Sequence, residues 1–375
     1  MKSSIIVISA LLSLMLMMSC TKEQTCTVTE KDGVKTYWNK NILSVEKLDF
    51  NPVKRFTLNA DQNDVNYISY FDIDYAGVDS EQNIYIADGG HSPKVNKYDK
   101  DGNFITRFVR HGSGPGEVDK IAYLCVKNDT IYIGDGGTQS VSLFNTSGEF
   151  LNKTRPVGYR FQVKPLGKNK FLCAYFSAEE IDGKLFLTKE LTILNNSFET
   201  IKALNSLKFF QEDASIPDQW DYVSTTVDKI YVGVNDKMFY KINVFDHNGN
   251  LIEEIHKNYA AINFSDEEYD RMTKYLKKSG QPSVKRNLMN KKRAVAGVYM
   301  DKNGNLIVHP AVDTTKGNTD GMVLDFFKDN TYLNSYMLKT EKPYYQCDYD
   351  VFLSFNNDKM FKFDSEKNVI EVYEY

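Results

Sequence analysis

Short runs in which apolar and polar residues alternate recur along most of the chain, separated by turn-forming residues. In the clearest copy, such runs cover residues 75–79, 83–88, 94–99 and 103–109, with an Asp-Gly turn at Asp101-Gly102. Alternation with a period of two predicts half-buried β-strands, and Asp-Gly between two runs is typical of a tight hairpin. Four short strands in series therefore predict one antiparallel sheet.

A second copy of this four-strand unit follows directly, over residues 121–151. Its Ile131-Tyr132-Ile133 matches Ile84-Tyr85-Ile86 of the first copy, 47 residues earlier. A period of about 40 to 50 residues is typical of the blades of a β-propeller. The repeat therefore predicts an all-β chain folded as a propeller.

Fainter copies cover residues 161–204, 223–255 and 296–338, and a last copy at 351–373 has one strand too few. The alternating segment 42–48, which precedes the first copy, is the natural donor of the missing strand. Closure of the ring by the two chain ends would leave no sheet edge exposed. We count five complete blades and one shared blade, hence six; five or seven blades are the alternatives, because the third copy is poorly marked.

The spacing becomes helical at residues 265–293, between the fourth and fifth copies. Ser265 and Glu268 form a capping-box sequence, and Tyr269, Met272 and Leu276 recur at helical intervals. We predict a short helical insertion between blades four and five. Its basic residues could bind an anionic ligand or could form a solvated helix face. These residues are Lys274, Lys277, Lys278, Lys285, Arg286, Lys291, Lys292 and Arg293.

Residues 1–20 do not follow the alternating strand pattern of the rest of the chain. Lys2 is followed by an apolar run that ends at Ser19-Cys20, the pattern of a secretory signal peptide. The run is short for a membrane-spanning helix, so we expect cleavage before Cys20 and lipid addition to its thiol, with an uncleaved anchor helix as the alternative. The polar stretch that follows lacks apolar periodicity. The expected domains are a signal peptide at 1–19, the lipidated cysteine with a flexible tether at 20–37, and the propeller at 38–375.

Export determines the expected location and partners. Lys22-Glu23 resembles the charged export tag of surface lipoproteins in Gram-negative gut anaerobes. We therefore expect an outer-membrane lipoprotein, attached to the membrane by its lipid, on either the periplasmic or the outer surface. The chain has 46 basic and 50 acidic residues, a net charge of −4, so we expect no nucleic-acid partner.

The cysteines other than Cys20 are too sparse for a disulfide framework and show no metal-binding spacing. Cys125 and Cys173 are expected as small buried core residues. The disulfide state of Cys26 and Cys347 stays open.

Two stretches resemble NHL-type propellers. One is Asn83-Ile84-Tyr85-Ile86-Ala87-Asp88 with residues 99–104 behind it, and the other is Gly112-Ser113-Gly114-Pro115-Gly116-Glu117 at the link to the next blade. With the lipoprotein start and the helical insertion, the chain resembles the six-bladed propeller lipoproteins of gut anaerobes. After Glu117 the family's apolar and proline positions are partly replaced, and blades three to six lack the motif. The resemblance implies a fold and a binding role.

Strand parity predicts which loops share one end of the ring. The loop between the second and third strands of a blade and the link to the next blade lie at the same end of the ring. The long loops with aromatic and charged residues are therefore expected to cluster at that end. Functional residues often lie on loops held by a rigid scaffold. We predict a binding site at this rim. Its candidate residues are Asp88, His91, Arg110, His111, Asp135, Trp220 and His309.

Each candidate residue has a chemical role and an alternative. The two aspartates could accept hydrogen bonds from a sugar or peptide, Arg110 could pair with a carboxylate, and Trp220 could stack on a sugar ring. Because Asp88 and Asp135 occupy equivalent positions, they could instead form structural hydrogen bonds. The three histidines could together hold zinc, as in metal-dependent lyases and lactonases of related fold, although their spacing favours separate surface histidines.

Asp99-Lys100-Asp101-Gly102-Asn103 resembles part of a calcium loop but lacks the downstream Glu, so we interpret it as a turn. We predict no cofactor, with calcium or zinc as the alternatives. No nucleophile elbow, Walker loop or dinucleotide motif is present. The sequence therefore favours a protein that binds a small molecule, glycan or peptide, or an envelope protein, over an enzyme; a metal-dependent lyase or lactonase is the alternative.

Overall fold

The computed structural model describes residues 25–44, 46–59, 61, 63–64, 66–70, 75–155, 160–167, 169–210, 222–278, 286, 290–317, 319–345 and 351–375. These residues form six sheets, each with four strands or more, arranged as the blades of a six-bladed β-propeller. A helix lies between blades four and five. The predicted fold class, including the number of blades, is therefore confirmed.

The first half of the chain supplies three blades. The strands before blade one are β1 (Cys26–Lys31), β2 (Val34–Asn39) and β3 (Val53–Leu58). Blade one contains β4 (Ala76–Val78), β5 (Ile84–Asp88), β6 (Lys94–Tyr98) and β7 (Phe104–Phe108). The link to blade two contains β8 (Arg110–His111) and β9 (Glu117–Val118). Blade two contains β10 (Ile121–Lys127), β11 (Thr130–Asp135), β12 (Ser140–Asn145) and β13 (Phe150–Thr154). Blade three contains β14 (Arg160–Pro165), β15 (Phe171–Ile181), β16 (Lys184–Leu194) and β17 (Thr200–Phe210).

The second half of the chain supplies the other three blades. Blade four contains β18 (Tyr222–Thr225), β19 (Lys229–Gly233), β20 (Tyr240–Asp246) and β21 (Leu251–Lys257), followed by the helix α1 (Asp266–Lys278). Blade five contains β22 (Val295–Met300), β23 (Leu306–Pro310), β24 (Gly321–Lys328) and β25 (Thr331–Lys339), with a short 3₁₀ helix at Thr314–Lys316. Blade six contains β26 (Val351–Asn356), β27 (Lys359–Asp364) and β28 (Val369–Glu374).

The first strand of each blade lines the axis of the ring. β4 contacts β10 and β26, β10 contacts β14, and β22 contacts β18 and β26. The second strands lie behind them and are covered on both faces by neighbouring blades, so Ile84, Ile131 and Ile230 are fully buried. This burial explains why an isoleucine recurs at this position of the repeat.

Each blade has two distinct ends, which we name by their connections. The link end carries the links between blades and the loops between second and third strands. The turn end carries the turns between first and second strands and between third and fourth strands. Because the strands of each blade are antiparallel, every first strand runs from the link end to the turn end.

Blade six is completed by β3, whose residues pair with β28 from Leu58 opposite Ile370 to Val53 opposite Glu374. The prediction that the two chain ends close the ring is thus confirmed, but the prediction that residues 42–48 donate the missing strand is wrong. That segment instead follows the outer strand of blade five, where Ser44 N donates to Leu333 O at 3.0 Å. Leu48 of this segment packs against the core beside blade five, so its apolar residues do not indicate a strand of blade six.

Residues 26–39 form a hairpin that extends blade four to six strands, in the order β1, β2, β21, β20, β19, β18. β2 pairs with β21 in parallel. The expectation of a flexible tether at 20–37 is therefore wrong for residues 26–37. Nearly every side chain of β1 is exposed, and the hairpin is held by backbone pairing, so an apolar pattern could not reveal it.

The side chain of Asn39 fixes the end of this hairpin between two blades. It is 1% exposed. Its Nδ2 donates to Asn330 O and to His256 O, each at 3.1 Å, and its Oδ1 accepts from Tyr332 N at 2.8 Å. One amide thus connects β2 to blades four and five.

The helical insertion has the predicted capping box. Ser265 N donates to Glu268 Oε2 at 2.9 Å, and Glu268 N donates to Ser265 Oγ at 3.2 Å. Glu268 also forms a fully buried ion pair with Lys292, whose Nζ donates to Val312 O at 2.7 Å. Lys292 therefore ties α1 to blade five and is not part of a solvated face. Within the described ranges, no helix is long and apolar enough to cross a membrane.

Replacement of Asn39 by alanine tests the docking of the hairpin. We expect Asn39→Ala to destabilise the protein by about 2 kcal/mol, because it leaves the buried Tyr332 N–H without an acceptor. Urea unfolding and limited proteolysis of residues 25–39 measure this effect. The control is Asn41→Ala at an exposed position, and equal unfolding midpoints for the two variants would contradict the docking.

Candidate functional site

The described residues predicted for the rim site all lie at the link end. Asp88 and Asp135 end the second strands of blades one and two, His309 lies near the end of the second strand of blade five, and Arg110 and His111 form β8. His91 lies in the loop after Asp88. Trp220 lies outside the described residues.

The carboxylate of Asp88 forms hydrogen bonds with the backbone segment that leads into blade one. It is buried, and its carboxylate accepts from Ser69 N at 2.9 Å, Tyr70 N at 3.1 Å and Gly90 N at 2.9 Å. Lys94 Nζ lies 3.3 Å away. These contacts hold the entry of the chain into blade one.

Asp135 makes the equivalent contacts in blade two. Its carboxylate accepts from Asp119 N at 3.0 Å, Lys120 N at 3.1 Å and Thr138 Oγ1 at 2.6 Å. Burial alone would raise the pKa of Asp135, but the hydrogen bonds favour the carboxylate and hold its pKa below the ordinary value. Both aspartates therefore have the contacts of structural side chains, the alternative that the sequence left open.

The three rim histidines have different surroundings. His309 is buried, with its ring 5.5 Å from that of Tyr344. His91 is exposed, and His111 Nε2 lies 3.1 Å from Asp119 Oδ1 on the surface. In the part of the chain that the structure describes, no three His, Cys, Asp or Glu side chains are grouped so that they could hold a metal ion.

Burial gives His309 a measurable pH dependence. It lowers the pKa of His309 to about 4, whereas an unfolded histidine has a pKa of about 6.5. Between these values the unfolded chain binds a proton that the folded chain does not, so stability falls as the pH falls. The contribution at pH 4 is about 3 kcal/mol at most.

We therefore expect His309→Gln to flatten the pH dependence of stability between pH 6.5 and 4 relative to the wild type. Urea unfolding across this pH range measures the slope. His91→Gln at the exposed position is the control and should retain the wild-type slope. An unchanged slope in His309→Gln would contradict the burial.

The Gly-Pro link between blades one and two forms a closed loop. β8 and β9 pair in parallel, and Gly114 N donates to Glu117 Oε2 at 2.9 Å. A Cβ on Gly112, where φ is +151°, would lie 2.2 Å from Glu117 Oε2. Glycine is favoured there because residues with a side chain rarely adopt this φ. Arg110, at the start of the loop, is exposed.

The calcium-like sequence at Asp99 is a turn, as interpreted from the sequence. Asp99 accepts from Asp101 N at 2.9 Å and from Asn103 N and Nδ2, each at 2.8 Å. Asp246 with Asn250 and Asp301 with Asn305 repeat this arrangement in blades four and five. The repeated Asp-x-x-x-Asn sequence therefore stabilises turns at the turn end.

A cavity of about 590 Å³ occupies the centre of the ring. It is lined mainly by residues of the first strands, with Leu172 and Leu191 of blade three beside them, and it reaches the turns that follow the first strands, including Val227 and Lys302. Val227 is 88% exposed, so the cavity opens at the turn end. None of the described rim residues lines it. The opening at Val227 thus lies at the opposite end of the ring from the predicted mouth.

The charges on the cavity wall are mostly positive. Lys127, Lys164, Lys189 and Lys302 line it, and Asp301 is the one acidic residue among the lining residues that the structure describes. Asp301 accepts hydrogen bonds from Asn303 N and Asn305 N, each at 2.8 Å, within its own turn. Lys189 is 3% exposed. Lys127 and Lys164 are half-buried and Lys302 is exposed, so the lysines of the wall differ in how far they are removed from water.

The remaining wall is apolar with a few hydroxyl and amide groups. The apolar side chains include Leu124, Leu191, Val298 and Leu353, and the polar ones include Ser224, Thr225, Ser354 and Asn356. Cys125 is half-buried and lines the cavity, so its expected place in the core is wrong, whereas Cys173 is buried as expected. This combination suits a small molecule with an apolar or ring-shaped body and an acidic group.

Blade three contributes a further feature that the sequence patterns missed. β15 and β16 pair over eleven residues each, so their hairpin extends beyond β14 at the link end. Its turn is Asp182-Gly183, with φ of 50° and 72°. This Asp-Gly pair between two alternating runs is the signal that could have revealed the hairpin. Lys189, which lines the cavity, lies on the returning strand.

Comparisons with known proteins agree with the fold. No protein-family model matches the sequence, and a search of the curated proteins finds no match. A crystal structure of a "putative exported protein" from Bacteroides fragilis has a TM-score of 0.55 and 12% identity, covering 90% of this chain and 98% of that one. At this identity the likeness shows the fold alone.

Two other structures are more distant. BamB from Moraxella catarrhalis has a TM-score of 0.37 and 9% identity, covering 80% of this chain and 84% of its own. A "putative 6-phosphogluconolactonase" from Bacteroides fragilis has a TM-score of 0.36 and 11% identity, covering 80% of each chain. Neither likeness bears on function at such TM-scores.

Proposed function

We propose that the protein is a cell-envelope lipoprotein, anchored in the outer membrane through Cys20, whose propeller binds a small carboxylate-bearing ligand in its central cavity. The anchor rests on the signal-like sequence that ends at Cys20. The binding role rests on the cavity. The propeller is the scaffold, and the site is defined by its lining residues rather than by the fold.

The excess of lysines on the cavity wall carries this proposal. Four lysines line the cavity with one aspartate, and that aspartate is already hydrogen-bonded within a turn. Neither Lys127 nor Lys302 forms an ion pair with a described carboxylate. Positive charge in a concave wall of low dielectric attracts anions more strongly than the same charge on an open surface.

The size of the cavity limits the ligand. A volume of about 590 Å³ lies within the range of about 300 to 1,000 Å³ typical of small-molecule sites. An acidic saccharide of one or two rings or a short peptide with a free carboxyl end has the required charge and size. The hydroxyl and amide groups of Ser224, Thr225 and Asn356 offer further hydrogen bonds to either ligand class.

Calorimetric titration of matched acidic and neutral ligands tests the charge requirement. The panel contains uronic-acid and neutral disaccharides, and peptides with free and amidated carboxyl ends. We expect only acidic members to bind, and Lys127→Gln and Lys302→Gln each to weaken binding about tenfold, the loss of one charge-assisted hydrogen bond. The control is Lys100→Gln in an exposed turn outside the cavity. Equal binding of acidic and neutral ligands, or unchanged affinity in both cavity variants, would refute the proposal.

Alkylation of the Cys125 thiol locates the bound ligand. Because Cys125 lines the cavity, a ligand bound there should slow its alkylation in a mass-spectrometric assay. Cys26, on the hairpin beside blade four, should react at the same rate with and without ligand. If a ligand binds and protects neither thiol, the site lies elsewhere, for example at the rim near Arg110.

Several finer expectations stay predictions. They include NHL-type family membership, an envelope-protein partner and the metal-dependent lyase or lactonase alternative. The side of the outer membrane on which the propeller lies also stays open.

A further inference from the structure

The structured hairpin brings the proposed lipid anchor close to one corner of blade four. Thr25 is held by a backbone hydrogen bond from Lys40 N to its carbonyl at 2.9 Å, and Cys20 lies five residues earlier. Five residues span at most about 18 Å when fully extended. A lipid on Cys20 therefore keeps Thr25 within that distance of the bilayer surface.

The strand register shows which part of the propeller lies beside Thr25. Cys26 is opposite Asn39, Asn39 is opposite Lys257, and Lys257 is opposite Tyr240. These four residues form one row across adjacent strands. Since neighbouring strands lie about 4.8 Å apart, Cys26 and Tyr240 are separated by about 14 Å. The loop before Tyr240 thus lies at the same end of the sheet as the entry of the chain.

This end of blade four carries exposed apolar side chains. Met238 and Phe239, directly before Tyr240, are 49% and 63% exposed. Trp38, one residue before Asn39, is 49% exposed and stacks on His256 with a ring distance of 4.3 Å. Lys291 Nζ lies 3.0 Å from Met238 Sδ. We name Trp38, Met238, Phe239 and Lys291 the blade-four corner.

The chemistry of this corner matches a membrane surface. Tryptophan and phenylalanine favour the interface between headgroups and acyl chains, and lysine is attracted by anionic headgroups. We propose that the blade-four corner docks on the bilayer that holds the lipid anchor, so that the propeller has a fixed orientation on the membrane. The occupant of the corner is the lipid surface itself. This inference rests on the anchor at Cys20 in the proposed function.

Docking holds the link end of blade four at the membrane. The opposite end of these strands, where the Asp32-Gly33 turn of the hairpin lies, then points away from the membrane. The cavity opens at the turn end of the ring, so a soluble ligand can enter it without passing the bilayer.

Quenching of tryptophan fluorescence by brominated lipids tests the docking. The full lipidated chain is reconstituted into vesicles of phosphatidylethanolamine and phosphatidylglycerol, with or without bromine on the acyl chains. Trp38→Phe and Trp220→Phe remove both native tryptophans, and Phe239→Trp places a probe in the corner. Leu151→Trp, at a similarly exposed position on the outer strand of blade two, is the matched control.

We expect the probe at position 239 to lose most of its fluorescence in brominated vesicles and the probe at position 151 to lose little. Equal quenching of the two probes, or no quenching of either, would overturn the docking. Sedimentation of the chain with vesicles, compared with Cys20→Ser, reports the anchor separately. Sedimentation without quenching at position 239 refutes the docking alone, whereas failure to sediment refutes the anchor and the docking with it.

Discussion

The pairing of β3 with β28 places residues from both ends of the chain in one sheet, and the ring closes through this contact. Leu58, Ile370 and Val372 are buried at the pairing. The ion pair from Arg55 to Glu374 lies on the surface, where such pairs contribute little, whereas Glu371 is 13% exposed and pairs with both Lys54 and Lys362. The backbone ladder, the buried apolar groups and the ion pairs of Glu371 therefore hold blade six together, and without them blades one and six would each expose a face.

Ring closure also creates the candidate site. Lys127, Lys164, Lys189 and Lys302 come from blades two, three and five, up to 175 residues apart in the sequence. They share one wall only because the blades surround a common axis. The hairpin of residues 26–39 has a comparable effect outside the ring, since it brings the start of the chain to a fixed position beside blade four. Ligand access and membrane attachment are thus both set by strand pairing.

The repeat pattern predicted the blades, the helix and closure of the ring, because these depend on buried alternating strands whose isoleucines recur at fixed intervals. It did not predict the donor strand or the hairpin at 26–39. Both lie at outer edges, where backbone hydrogen bonds hold them and most side chains face solvent. The described rim residues lie at the expected end, but Asp88 and Asp135 hold the backbone segments that lead into their blades. The cavity lysines have no local motif, so only the assembled ring identifies them.

Hydrogen exchange measured by mass spectrometry tests ring closure most directly. If β3 and β28 close the ring, peptides covering 53–58 and 369–375 should be protected to a similar extent and should open together as denaturant is added. Rapid exchange of residues 53–58, with the strands of blades one to five still protected, would show an open ring. In that case the cavity could not have the wall described above.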